Sequence, residues 1–152
     1  MPQSAMIKIS LRLRAATTED TDAIIRLVRD HAAIVGEQNP ITASYVAAYL
    51  AFEHNSILLA ESDGRIIGLM SYSIRPDLQH AANVCLIEEL IVASEWRRQG
   101  VGRALMTRLF DRLNSFQCAE VSVAVMPDNS SAIRFYQSQG LTDEALFLEK
   151  HF

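Results

Sequence analysis

A chain of 152 residues can bury one sizeable core, and 49% hydrophobic with 21% charged residues is ordinary globular composition. A net charge of −4 lacks the electrostatic footprint of a nucleic-acid binder, and no apolar run approaches the ~20 residues that cross a bilayer. Cys85 and Cys118 make no disulfide framework and the four histidines are scattered, so neither a disulfide scaffold nor a metal site is expected. The N-terminal residues run into a strand pattern with no signal-peptide apolar core, so the expectation is one soluble, cytoplasmic domain over residues 1–152.

Ile7, Ile9, Leu11 and Leu13 alternate with Lys8, Ser10, Arg12 and Arg14, which predicts a half-buried strand. Thr17 and Thr18 precede acidic residues as helix caps do, and Ala23, Ile24, Leu27, Val28 and His31 follow at helical spacing up to Gly36. A second helix is predicted over 42–52, with Tyr45, Val46, Tyr49 and Leu50 facing inward. A hairpin follows: a strand over 56–61, a turn at Ser62-Asp63-Gly64-Arg65, and a strand over 66–74. A turn at Arg75-Pro76-Asp77 leads to a strand over 83–92, almost wholly apolar except for Glu88 and Glu89. In regular strand geometry those two carboxylates point to opposite faces.

The segment after that strand, Arg97-Arg98-Gln99-Gly100-Val101-Gly102, opens a helix continuing through Ala104, Leu105, Leu109 and Leu113. Glycines there permit a tight turn and close backbone approach, and the helix start offers unpaired N–H groups and a positive dipole end. With two arginines, this is a seat for a phosphorylated ligand. No Lys-Ser or Lys-Thr follows, which excludes a Walker A loop, and Leu105 stands where a dinucleotide fingerprint needs its third small residue. Downstream come a strand over 120–125, a helix over 129–139 closed by Gly140, and a last strand over 144–150. Asn129 and Tyr136, seven residues apart, share one helix face about 10 Å apart along the axis.

The R-x-x-G-x-G segment resembles the acetyl-CoA-binding segment of the GNAT superfamily of N-acetyltransferases. The stretch from Asn129 to Leu141 is similar to that family's N-x-x-A-x-x-x-Y-x-x-x-G-[FL] helix, and the two motifs stand at the family's separation. The predicted order β-α-α-β-β-β-α-β-α-β is an α/β (α+β) arrangement with a mixed, mainly antiparallel sheet and helices on both faces. It is also the order that the resemblance implies.

The resemblance further implies acetyl-CoA as co-substrate and a primary amine as acceptor, attacked directly in a ternary complex. The strands at 83–92 and 120–125 would splay to admit the thioester. Leu90, Ile91 and Val92 would line the pantetheine arm, and backbone N–H groups of Leu90 and Val92 would polarise the thioester carbonyl. Arg97, Arg98, Gln99, Gly100, Val101 and Gly102 would hold the phosphates. Asn129 would cap its helix or also bond the pantetheine. Tyr136 would be the general acid for the leaving thiolate, and Glu88, or else Glu89, would take the amine proton. Ala124 stands where some relatives place a glutamate for that task.

The acidic charge suits a small cationic acceptor, with a protein or peptide amine as the rival. A non-catalytic acyl-CoA-binding sensor or scaffold is the reading from another class. Acceptor selection falls to residues 31–55 and 75–82. The resemblance also allows a homodimer through the last strand or a sheet edge, where Leu146, Phe147 and Leu148 would equally serve to close the core.

Overall fold

The computed structural model describes residues 9–152. Its elements are β1 (Arg12–Ala15), a short 3-10 turn (Thr18–Asp20), α1 (Thr21–Ile34), α2 (Ala43–Ala51), β2 (Asn55–Ser62), β3 (Arg65–Asp77), β4 (Ala82–Val92), α3 (Val101–Ser115), β5 (Cys118–Val123) and α4 (Ser130–Ser138). The five strands form one sheet in the order β1-β2-β3-β4-β5. Every pairing is antiparallel except the parallel β4–β5 ladder.

Side-chain alternation along the strands divides the core in two. Ile57, Leu59, Leu69 and Ile91 meet Ile24 and Leu27 of α1 and Val46 of α2. Leu58, Ala60, Met70, Tyr72, Cys85 and Ile87 meet Val101, Leu105, Met106, Leu109 and Leu113 of α3, and Tyr136 of α4. Central strands covered on both faces read as nearly continuous apolar runs, which is why β2 and β3 show little polar alternation. Gly68 permits the close approach of α3: a Cβ there would lie 3.0 Å from Val101 Cγ1 and 3.4 Å from Leu105 Cδ1.

Local signals formed as read. Thr17 and Asp20 make a reciprocal capping box, Thr42 caps α2 by accepting from Tyr45 N at 3.2 Å, and Asp63 and Gly64 both take positive φ in the β2–β3 hairpin. Gly36 and Gly140 follow their helices with φ of 75° and 97°.

Three expectations are corrected, and one lies partly outside the described residues. Ile7 and Lys8 of the first predicted strand are not described, and β1 begins at Arg12. The chain does not turn at Arg75-Pro76-Asp77: β3 continues through them, pairing Pro76 with Asn83. β2 reaches only as far as Ser73, so Pro76 stands where the opposite edge of β3 is free and its missing N–H costs no ladder bond. Tyr45 does not face inward but is 63% exposed, because Val46 is the side chain of α2 that turns to the core.

The last strand, 144–150, is not formed. Its residues favour extended backbone, but a strand exists only against a partner, and β5 pairs with β4 alone. Leu146, Phe147 and Leu148 are left 85%, 61% and 82% exposed.

Candidate active site

β4 and β5 are hydrogen-bonded only from the Asn83–Cys118 pair to the Ile87–Val123 pair, whereas β4 runs on to Val92. The upper half of β4 therefore keeps β3 on one side and, among the described residues, has no strand on the other. Glu89 N–H donates to Ser71 Oγ and Ala93 N–H to Ile67 O, so both face β3. Backbone groups alternate sides along a strand, which turns the N–H groups of Leu90 and Val92 into the open gap and that of Ile91 back to β3. Ile91 is 3% exposed, with its side chain in the core under α1. β5 ends at Val123 while still paired, so β4 runs on alone, with the N–H groups of Leu90 and Val92 on its open side and that of Ile91 turned away.

The loop leaving β4 winds tightly onto α3. Arg98 and Gly100 hold left-handed φ of 59° and 84°, and Gly100, having no side chain, is the N-cap of α3. Ala104 N–H is the first to bond within the helix, to Gly100 O at 3.0 Å. The amides of Val101, Gly102 and Arg103 thus stand at the positive end of a 15-residue helix with no side-chain cap. Arg97 Nε donates to Val92 O at 3.2 Å and Gln99 Nε2 to Glu95 O at 2.8 Å, which ties the loop to the end of β4. A Cβ on Gly102 would stand 3.3 Å from the Phe135 ring and 3.8 Å from Leu90 Cδ2. Gly102 is thus where α3, α4 and the open edge of β4 meet.

Asn129 is the N-cap of α4, its Oδ1 accepting from Ala132 N at 3.2 Å. Tyr136 is buried among Ile87, Val101 and Leu105, with the Phe135 ring edge-on at 5.2 Å. Burial pushes its phenol up to about 12. Among the described residues nothing bonds its hydroxyl, yet no fully buried side-chain oxygen lacks a partner, so this hydroxyl opens to solvent.

Glu88 and Glu89 depart from the expectation of opposite faces. The β3–β4 register passes from Ser71–Glu89 to Tyr72–Ile87, so Glu88 is the extra residue of a β-bulge. Ile87 points to the α3 face and Ile91 to the α1 face, and across the bulge both carboxylates turn towards α2. Tyr49 Oη donates to Glu88 Oε2 at 3.1 Å. Ser71, only 3% exposed, donates its hydroxyl to Glu89 Oε2. Sequence reading placed Tyr49 in the core and left Ser71 unremarked, because neither local pattern shows a contact made across the sheet.

The open upper edge of β4 thus runs into the uncapped start of α3, with the Tyr136 phenol on the α3 side of the sheet and both carboxylates on the other. The chain belongs to the acetyltransferase (GNAT) family, whose model matches residues 22–141. It is 28% identical to an uncharacterized N-acetyltransferase of Methanocaldococcus jannaschii, over 92% of this chain and 83% of the relative. It is 25% identical to the L-2,4-diaminobutyric acid acetyltransferase of Nocardia farcinica, over 91% of this chain and 74% of the relative. The fold is that of an aminoglycoside acetyltransferase from an uncultured soil metagenomic sample, at TM-score 0.81 and 20% identity, covering 93% of this chain and 95% of that one. Family and relatives support N-acetyl transfer, with acetyl-CoA as the family's co-substrate. No helix among the described residues is long and apolar enough to cross a membrane.

Proposed function

We propose that this protein moves an acetyl group from acetyl-CoA to the primary amine of a small cationic molecule, by direct attack in a ternary complex. The observation that carries the reading is the unpaired upper edge of β4 running into the uncapped start of α3. The amides of Val101, Gly102 and Arg103, with Arg98 beside them, fit a diphosphate. The inward N–H groups of Leu90 and Val92 fit the amide-bearing pantetheine arm, and one of them would stabilise the oxyanion that develops at the thioester. Asn129, at the far end of α4, keeps its side-chain NH2 as a donor beyond the cap it makes.

In the reaction the amine nitrogen bonds to the acetyl carbon as the carbon–sulfur bond breaks. Glu88, directly or through water, takes the proton that the amine loses, and Tyr136 gives its phenolic proton to the departing thiolate. Two carboxylates turned to one face and a net charge of −4 favour a cationic acceptor. The named activities of relatives, on diaminobutyrate and aminoglycosides, lie in that class. The exposed run of Leu146, Phe147 and Leu148 supports a homodimer, which a single-chain mass by light scattering would remove.

The test is to incubate the protein with acetyl-CoA and a panel of diamines, aminoglycosides, amino acids and peptides, following release of the CoA thiol and the product by mass. An acetylated small amine is expected. A product acetylated only on peptides would redirect the acceptor assignment. Tight acetyl-CoA binding without amine-dependent thiol release would make the domain a sensor.

A further inference from the structure

We propose that Tyr49 of α2 is a positioning residue for the Glu88 carboxylate, and that Glu89, held by Ser71, fastens the bulge instead of meeting the acceptor. The inference rests on the acetyl-transfer reading and assigns separate tasks to two adjacent acids.

The two carboxylates share a face but not a bonding state. Ser71 and Glu89 are register partners, and they close a small ring: Glu89 N–H donates to Ser71 Oγ at 3.1 Å while Ser71 O–H donates to Glu89 Oε2. A hydroxyl has one proton, and here Glu89 receives it. The ring anchors β4 to β3 at the residue pair where the register slips, which is where the ladder is weakest.

Glu88 is the inserted residue itself, and among the described residues its carboxylate is tied through Oε2 alone, by the Tyr49 hydroxyl 39 residues away in sequence. A carboxylate offers about four lone-pair sites, so one bond fixes its direction and leaves Oε1 to accept from an incoming amine. The half-buried Tyr49 packs with the cluster beneath α1 and α2, and Val46, 2% exposed, fixes the same helix one turn earlier. A phenol has few rotatable bonds, so a packed ring aims its hydroxyl with little entropy to lose. Burial first, then the Glu88 charge and hydrogen bond, outweigh the opposing Ser71 hydroxyl and, with the Glu89 charge adding to them, push the Tyr49 phenol well above its ordinary value, which keeps it a donor throughout the neutral range. The helix that the family pattern constrains least is thereby the one that aims the base.

A double-mutant cycle on the full chain tests this, with the best amine from the panel. Tyr49→Phe should lower kcat/KM for that amine about tenfold, as loss of one hydrogen bond to a charged group does, and leave KM for acetyl-CoA within about twofold. In a Glu88→Gln background the same substitution should cost nothing further, since a residue acting through another loses its effect with it. Tyr45→Phe, which removes an exposed hydroxyl from the same helix, is the control and should match wild type. Equal losses in both backgrounds, or no loss in either, would overturn the proposal. A readout free of turnover accompanies it: the 13Cζ resonance of Tyr49 should move in Glu88→Gln at neutral pH, and an unmoved resonance would also overturn it. Wild-type protein inactive on every amine would count against the acetyl-transfer reading, and the resonance would then decide the Tyr49–Glu88 link alone.

Discussion

Tyr136 combines two properties that rarely meet in one side chain, a buried ring and a hydroxyl that bonds no other group among the described residues. Burial pushes its phenol up to about 12, so it stays protonated through the neutral range and, in the proposed reaction, has a proton to offer a departing thiolate held at hydrogen-bond distance. Tyr136→Phe keeps the ring and its edge-on contact with Phe135, so folding should be little changed. Turnover should fall by about 10²- to 10⁴-fold with KM for acetyl-CoA nearly constant, measured as steady-state thiol release. Undiminished turnover would return Tyr136 to a packing role. Tyr136 and Asn129 were legible in the sequence because a single helix displays them at a fixed period. The shared face of Glu88 and Glu89 was not. A strand's period of two says they diverge, and only pairing with β3 shows that one of them is an inserted residue. Tyr49 was legible as facing inward but not as a donor, since its acceptor lies on a strand that sequence distance does not bring near.

At the scale of single elements, two junctions carry the site and the fold that holds it. Where α3 begins, Gly102 faces Phe135 so closely that a bare Cβ needs the ring to give by a few tenths of an ångström. Gly102→Val adds two further methyl groups, which should displace Phe135, lower the melting temperature, and block close approach of a diphosphate to the amides. Calorimetric titration with acetyl-CoA should then show no binding, and normal affinity would mean that the loop serves another purpose. Where α1 begins, Asp20 accepts two bonds from the Arg14 guanidinium at 2.8 Å and one from Thr17 N. The bond from Arg14 is the largest reason that its carboxyl is held at about 2, below the ordinary 3.8. Because the folded value is the lower one, this stabilisation is complete above the unfolded value and fades as pH falls from about 4 to 2. Asp20→Asn should therefore cost about 2 kcal/mol in urea unfolding at pH 7, and the gap to wild type should narrow at pH 3. The cap at Thr17 was legible because it is local. The second carboxylate on Arg14, Glu61 at 3.1 Å, emerges only when β1 is laid beside β2.

At the scale of the whole molecule, the sequence specified the α/β layering well because each face of the sheet announces itself in an amphipathic helix. It misjudged the 144–150 segment, whose extended bias is real but whose partner edge no local pattern can supply. The layering also determines how ligand binding and folding are coupled. The proposed phosphate seat belongs to α3, the open edge to β4 and the phenol to α4, so a ligand spanning all three would contact elements that unfolding scatters. Unfolded chain cannot assemble that arrangement, and binding to the native state alone stabilises by RT ln(1 + [L]/Kd). At about 100 times the dissociation constant this is ~2.7 kcal/mol. A domain of about this size gains roughly 2–4 °C per kcal/mol, so saturating acetyl-CoA should raise the melting temperature by about 5–10 °C. Scanning calorimetry across a concentration series checks both the size and its logarithmic growth. Adenosine diphosphate, lacking the pantetheine arm, should give a smaller rise because it leaves the edge of β4 unfilled. Equal rises from the two ligands would show that Leu90 and Val92 contribute nothing to binding, and a flat series with both would remove the diphosphate seat itself.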